Sequence, residues 1–163
     1  MNNDYEVVYN LYSFWIIILP LFYSTYIIFE NKKYLLLSGF IITFLLHYFI
    51  KKITTVIPET PDYLIRPFCA KDCNLLNNDG PCDDEPGFPS GHVATTSFFF
   101  NYLLLRFINN FDINNLKYII LYNIPVLLTG ISRYYKKCHN NLQIVSGYIL
   151  GIIIAILINR FEK

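Results

Sequence analysis

Three short polar runs of the sequence carry residue types that could do chemistry together. Two arginines offer planar, permanently charged guanidinium groups that match the oxygen atoms of a phosphate. Two histidines can divide the roles of nucleophile and proton donor, because the unperturbed pKa of a histidine side chain is about 6.5. This set predicts phosphoryl transfer, which depends mainly on positioning and charge stabilisation. The runs are Arg66-Pro67, Pro89-Ser90-Gly91-His92 and Ser132-Arg133, with His139 six residues after Arg133.

Ser90 and Gly91 stand directly before an apolar run, at the predicted N-terminus of a helix. Free backbone N–H groups and the helix dipole favour a bound anion at such a position. Gly91 also lets the backbone approach a ligand closely, because it has no side chain. We therefore predict that Ser90 and Gly91 bind phosphate together with Arg66 and Arg133.

Gln143 follows His139 by four residues, so the two side chains share one face if a helix begins near His139. The amide oxygen of Gln143 could then accept a hydrogen bond from one ring nitrogen of His139. That bond would fix the tautomer and direct the other nitrogen towards phosphorus. The predicted catalytic group is therefore His139, His92 and Gln143.

The second and third runs also have plainer interpretations. Pro89-Ser90-Gly91-His92 could be only a turn and a helix cap. Arg133 could be an interfacial arginine whose stem lies along apolar surface, and His139 could be a solvated loop residue. The order and spacing of the runs favour the functional interpretation for all three.

Five apolar segments must position these residues. Hydrophobic residues make up 54% of the 163-residue chain, and charged residues only 15%, against about 25% in a typical soluble domain. We therefore predict an all-α fold: one domain over residues 1–163, built as a transmembrane bundle of about five spans with a polar catalytic loop. The segments cover about 9–29, 34–50, 92–108, 118–131 and 142–158.

The first apolar segment is interpreted as a permanent span and not as a signal peptide. Asp4 and Glu6 precede it in place of a basic region, and no small-residue cleavage site follows. The net charge of +1 gives no indication of nucleic-acid binding. The expected partners are therefore membrane lipids and a substrate carried among them.

Five spans would place alternate connections on opposite sides of the membrane. The N-terminus, the 51–91 loop and the 132–141 link would then share one side, with all the predicted site residues. Lysine and arginine divide almost evenly between the two sides, so the positive-inside signal is weak. The acidic residues collect on the site side, which favours a cytoplasmic C-terminus and a site facing the lumen or the exterior.

All four cysteines also fall on the site side. Confinement to one face predicts two disulfides in an oxidising compartment. A four-cysteine zinc site is a second interpretation, although only one close pair is present. Four unrelated thiols are the third. The candidates are Cys69, Cys73, Cys82 and Cys138.

The three runs, in this order and separated by apolar segments, resemble the type 2 phosphatidic acid phosphatase superfamily. That superfamily also holds the glucose-6-phosphatases, the dolichyl-diphosphatases and the vanadium haloperoxidases. Its pattern is Arg-Pro, then Pro-Ser-Gly-His, then Ser-Arg with a histidine six residues after the arginine. The resemblance covers residues from about 51 to 151.

By position, the resemblance implies that His139 is a nucleophile that forms a phosphohistidine and that His92 protonates the leaving group. Arg66, Arg133, Ser90 and the backbone of Gly91 would form the phosphate cradle. It implies a hydrolase without metal or cofactor, acting on a lipid phosphate or diphosphate such as phosphatidate or a polyprenyl diphosphate.

Two positions depart from the family pattern. Glu59 stands where a lysine is expected seven residues before Arg66, and Lys51 or Lys52 could replace that lysine. Gln143 stands where many members have aspartate. The missing lysine motivates a rival hypothesis, in which the protein keeps the fold but only binds lipid phosphates or scaffolds a partner. A haloperoxidase-like enzyme is disfavoured because that group is mostly soluble.

Two further groups of polar residues have plain interpretations. His47, near the end of the second apolar segment, is interpreted as an interfacial or helix-contact residue. Asp83, Asp84 and Glu85 are interpreted as a solvated acidic loop and not as a cation site.

Overall fold

The structure is a computed structural model that describes residues 3–31, 34–74, 80–82, 84–108 and 115–162. Across these ranges it contains five α-helices and only two isolated β-bridges. Both bridges lie in the segment 55–90, called the polar loop here. The prediction of an all-α bundle is confirmed. The helices are α1 (Asn3–Asn31), α2 (Leu35–Thr54), α3 (Gly91–Phe107), α4 (Leu116–Tyr135) and α5 (Asn141–Glu162).

Three of these helices are long and apolar enough to cross a membrane, judged by length and composition over the described residues. Their candidate spans are Val7–Ile27 in α1, Leu35–Thr54 in α2 and Asn141–Phe161 in α5. The count of five crossings, and the orientation derived from it, stay predictions.

The third helix is the one most enclosed by the others. Every residue from Gly91 to Phe99 is buried, although the run includes His92 and three hydroxyl side chains. Its most extensive partner is α5. Because protein surrounds it, α3 can be shorter and more polar than a helix that faces lipid.

Two glycines bring α5 against the start of α3. A Cβ atom placed on Gly147 would lie 2.5 Å from the carbonyl oxygen of Ser90, and one on Gly151 would collide with the carbonyl oxygen of Ala94. Small residues allow helix backbones to approach this closely. The Ser97 hydroxyl also donates a hydrogen bond of 2.8 Å to the carbonyl oxygen of Tyr148. The position of Ser90 and His92 relative to α5 is therefore fixed by close backbone packing.

The largest apolar cluster lies towards the opposite end of the bundle. It joins the N-terminal half of α2 to the later turns of α3 and α5, and it is centred on Phe40, Phe98, Tyr102 and Ile154. Between helices able to span a membrane, such a cluster stabilises the bundle mainly through close van der Waals packing. The polar residues of the three runs lie outside this cluster.

One disulfide joins the polar loop to the link between α4 and α5. It pairs Cys73 with Cys138, which are 65 residues apart. The prediction of two disulfides is wrong for the four described cysteines. Cys69 is exposed, whereas Cys82 is buried with its sulfur 2.9 Å from Nη1 of Arg66, so these two thiols do not meet. The bond between Cys73 and Cys138 also removes the thiolates that a four-cysteine zinc site would need.

Candidate active site

The three polar runs come together at the end of the bundle where α2 ends and α3 and α5 begin. They surround a cavity of about 290 Å³. Among its lining residues are four predicted from the sequence, which are Arg66, Gly91, His92 and His139, and also the candidate Lys51. The others are Ile17, Phe44, His47, Cys73, Asn74 and Thr95.

His139 lies in the short link between α4 and α5 and is almost fully buried. The residues on either side of His139 are both fixed by other parts of the protein. Cys138 is tied by its disulfide to the polar loop. Asn140 caps α5, because its side-chain oxygen accepts a hydrogen bond of 3.0 Å from the backbone N–H of Gln143. The cap and the disulfide together fix the direction of the His139 ring.

The side chain of Gln143 determines the tautomer of His139. Its amide nitrogen lies 3.0 Å from the carbonyl oxygen of Tyr63 and 2.6 Å from that of Ile65. Carbonyl oxygens only accept hydrogen bonds, so the amide NH₂ must face them and Oε1 must face His139. Nδ1 of His139 lies 3.0 Å from Oε1 and therefore carries the proton. Nε2 of His139 is left with a free lone pair.

The environment of His139 keeps its ring neutral. Burial lowers the pKa of His139 well below its usual range, and the positive charges of Lys51 and Arg133 lower it further. The hydrogen bond with Gln143 acts in the opposite direction and raises that pKa, while the charge of Arg66 lowers it. A neutral imidazole with a free Nε2 is the form that can act as a nucleophile.

His92 and Ser90 present buried polar atoms at the start of α3. Nε2 of His92 and Oγ of Ser90 have no hydrogen-bond partner among the described residues. A buried polar group left unsatisfied costs about 1–3 kcal/mol, and such groups are rare enough to indicate a functional position. The backbone N–H of Ser90 donates to the carbonyl oxygen of Gln143 at 2.9 Å, which joins this run to α5.

Arg133 lies behind the cavity wall and is fully buried in the last turn of α4. Its guanidinium donates hydrogen bonds to the carbonyl oxygen of Cys73 and, at 3.4 Å, to the hydroxyl of Ser13. Cys73 lines the cavity, so only this residue separates the guanidinium of Arg133 from the cavity. Ser90 and Gln143 are likewise buried behind the wall.

Arg66 reaches the cavity from the polar loop. Its Nη1 contacts the sulfur of Cys82, and its Nη2 lies 3.5 Å from a carboxylate oxygen of Glu85. Its backbone N–H donates to the carbonyl oxygen of Glu85 at 2.9 Å. Glu85 itself is exposed, as is Asp84, in agreement with the solvated loop expected there. Asp83 lies outside the described residues.

Of the two lysines that could replace the family lysine, only Lys51 lines the cavity. Lys52 is the next residue along α2 and is exposed. Successive helical residues point about 100° apart, so only one of the pair can face inwards. Glu59 is exposed in the turn that follows α2, away from the cavity lining.

His47, interpreted from the sequence as only an interfacial or helix-contact residue, lines the cavity. Its Nδ1 lies 3.2 Å from the carbonyl oxygen of Thr43, and a Cβ atom on Gly91 would collide with its ring. His47 is one helical turn before Lys51, and both line the cavity. The spacing of four residues was the available signal, because it places both side chains on one face of α2.

An apolar groove runs along the outside of the site. It has a volume of about 400 Å³ and lies between α4 and α5. Val93, next to His92, contributes to it, together with Val126, Gly130, Ile144 and other mainly apolar residues.

The fold and the cavity define a class: an all-helical protein with helices able to span a membrane and a buried, cation-rich histidine cavity at one end. A comparison with protein-family models matches residues 32–163 to the PAP2 superfamily. The chain belongs to this superfamily, which is that of the type 2 phosphatidic acid phosphatases, generally hydrolases of phosphoric esters. Searches among curated proteins and among solved structures found no significant match.

Proposed function

We propose that the protein is a membrane phosphatase that hydrolyses a lipid phosphate or diphosphate through a phosphohistidine on His139. The observation that carries this proposal is the state of His139. Its Nδ1 is hydrogen-bonded to Gln143, its ring is kept neutral, and it lines a cavity that also contains His92, Lys51 and Arg66. Membership of the family supports a phosphatase acting on phosphate esters.

In the first step, Nε2 of His139 attacks phosphorus in line with the leaving oxygen. The P–N bond forms as the P–O bond breaks, and the electron pair goes to the leaving oxygen. That oxygen takes a proton from His92, which acts as the imidazolium once the negative charge of the bound phosphate favours its protonated form. The charges of Lys51, Arg66 and Arg133 stabilise the phosphoryl oxygens during the transfer.

In the second step, water replaces the histidine at phosphorus. His92 removes a proton from the water as it attacks, the P–N bond breaks, and inorganic phosphate leaves. His139 regains its free lone pair, so the residues end in the state in which they began.

The lipid substrate class is supported by the surroundings of the cavity. The groove beside His92 is mainly apolar and opens between two helices. The cavity itself has apolar walls at Ile17 and Phe44. A phosphate carried on a hydrocarbon chain would have its head group at the histidines while its chain lies along apolar surface.

Phosphate release by the purified protein tests the proposal. Detergent-solubilised wild type is supplied with phosphatidate, a polyprenyl diphosphate and glucose 6-phosphate in parallel. We expect turnover of at least one lipid substrate, and a loss of at least about a thousandfold in His139→Ala, because nucleophile and intermediate are both removed. Equal rates in wild type and His139→Ala would sink the proposal.

The rival hypothesis is a protein that binds phosphate without turnover. It was based on the missing lysine at Glu59, and Lys51 brings a positive charge to the cavity instead. Binding of a phosphate analogue without any hydrolysis, across the same substrate panel, would favour the rival.

A further inference from the structure

The side chain of Gln143 is fully buried and joins all three polar runs. Its Oε1 accepts from His139, while its Nε2 donates to the carbonyl oxygens of Tyr63 and Ile65. Its backbone carbonyl oxygen accepts from the N–H of Ser90.

We propose that Gln143 is a positioning residue for Arg66 as well as for His139, acting through the donating half of its amide. Ile65 directly precedes Arg66, and the peptide group between them is held from both ends. Its carbonyl oxygen accepts from Gln143 at 2.6 Å, and its N–H donates to Glu85 at 2.9 Å. This inference rests on the proposed function, because it assigns Arg66 to the phosphate site.

Gly87 shows that the space for this contact is built into the polar loop. A Cβ atom on Gly87 would collide with the side-chain amide of Gln143. The N–H of Gly87 donates a hydrogen bond of 2.8 Å to the carbonyl oxygen of Leu64. Leu64 lies between Tyr63 and Ile65, whose carbonyl oxygens accept from Gln143. Residues 63–66, Gly87 and Gln143 therefore form one packed unit, and displacing any member moves the backbone of Arg66.

An aspartate, which the resemblance gives for many family members at this position, could not make both sets of contacts. A carboxylate can accept from the His139 ring, but when ionised it has no hydrogen to donate to two carbonyl oxygens. The amide performs both tasks with one side chain. Gln143 thus holds the segment before Arg66 and contacts His139 at the same time.

Binding of inorganic phosphate to the full-length protein in detergent tests the tether. The affinity is measured by calorimetry for wild type and for Gln143→Leu, a neutral change of similar size. The same change is then measured in an Arg66→Ala background and in a Lys51→Ala background. Lys51 is the matched control. It is a cation that lines the same cavity, but it is not in the segment that Gln143 contacts by hydrogen bonds.

We expect Gln143→Leu to weaken phosphate binding about tenfold in the wild-type and Lys51→Ala backgrounds. In the Arg66→Ala background the further loss should be less than about twofold, because residues that act as a unit are not additive. A merely structural role would weaken binding equally in all three backgrounds, and that result would overturn the inference. So would a wild type that does not bind phosphate.

A second variant keeps the test open if Gln143→Leu does not fold. Gly87→Ala retains the amide but pushes it from its place, so it should give the same dependence on Arg66. The affinity measurement does not need turnover. If wild type binds phosphate but hydrolyses nothing, the proposed function fails. The comparison of Gln143→Leu in the wild-type and Arg66→Ala backgrounds still decides whether Gln143 positions Arg66.

Discussion

At the scale of single residues, the proposed nucleophile His139 is buried, and its Nδ1 is hydrogen-bonded to Gln143. The sequence predicted the pair of His139 and Gln143 from a spacing of four residues, and the structure has their hydrogen bond at 3.0 Å. It could not predict the two carbonyl oxygens that orient the amide. Those belong to Tyr63 and Ile65, about eighty residues earlier in the chain, and their approach depends on the fold of the polar loop.

We expect the His139 ring to remain neutral, with the proton on Nδ1, at pH 6.5. Burial and nearby cations lower its pKa below that of the unfolded chain, so the unfolded state takes up more protons. The stability that this group contributes is therefore complete above about pH 6.5 and is lost as the pH falls below it. A ¹⁵N NMR titration of the histidine rings checks this.

The chain has only three histidines, so His47→Ala and His92→Ala are enough to assign the His139 signals. A ring that titrates at or above pH 6.5, or that carries its proton on Nε2, would contradict the assigned nucleophile.

Lys51 and Lys52 offer a matched pair for testing the phosphate site. We expect Lys51→Ala to raise KM for the phosphate substrate about tenfold to a hundredfold, because a hydrogen bond to a charged group contributes about 1.5–3 kcal/mol. Lys52→Ala should change KM by less than about twofold, since its side chain is exposed. Equal effects of the two substitutions would show that the cavity lysine has been wrongly assigned. The sequence alone left both candidates open.

At the scale of helices, the chain was largely predictable, and the contacts between helices were not. Apolar length predicted all five helices, and the structure extends most of them by a few residues into polar sequence. The Pro-Ser-Gly-His run predicted the start of α3 to within a residue. Nothing in the periodicity indicated that α3 would be enclosed mainly by α5, because close packing at Gly147 and Gly151 depends on which faces meet.

We expect Gly147→Ala to lower the stability of the bundle by about 1–3 kcal/mol and to lower kcat. The added methyl group would meet the backbone carbonyl oxygen of Ser90, which cannot move without shifting the start of α3. Thermal unfolding in detergent and phosphate release are the two measurements.

Gly130→Ala is the matched control, because the nearest atom to its added methyl group is a side-chain atom, the Cγ2 methyl of Ile144 at 3.0 Å, and not a backbone atom. It should cost clearly less stability than Gly147→Ala. A Gly147→Ala protein with wild-type stability and kcat would show that this helix contact does not position the site.

At the scale of the whole molecule, the disulfide ties the polar loop to the link that carries His139. The sequence confined the cysteines to one end of the bundle but could not choose their pairing. That choice depends on the loop fold, which buries Cys82 beside Arg66 and leaves Cys69 at the surface. A disulfide at the site end is consistent with the proposal that this end faces an oxidising compartment.

We expect reduction of the disulfide to lower the melting temperature and to reduce activity. A closed loop of about 65 residues between Cys73 and Cys138 limits the unfolded chain, which corresponds to a stabilisation of about 4 kcal/mol. The Cys138→Ser variant should reproduce both losses, whereas Cys69→Ser should behave as wild type. A Cys138→Ser protein with unchanged melting temperature and activity would exclude a positioning role for the disulfide.

The central claim is that His139 carries the phosphoryl group during turnover. The most direct measurement is rapid quenching of the enzyme with a ³²P-labelled lipid phosphate, followed by mapping of the labelled peptide. We predict a label that is stable in base, labile in acid and located on His139, and no label in His139→Ala. Steady hydrolysis of the substrate by wild type with no label on His139 would contradict it.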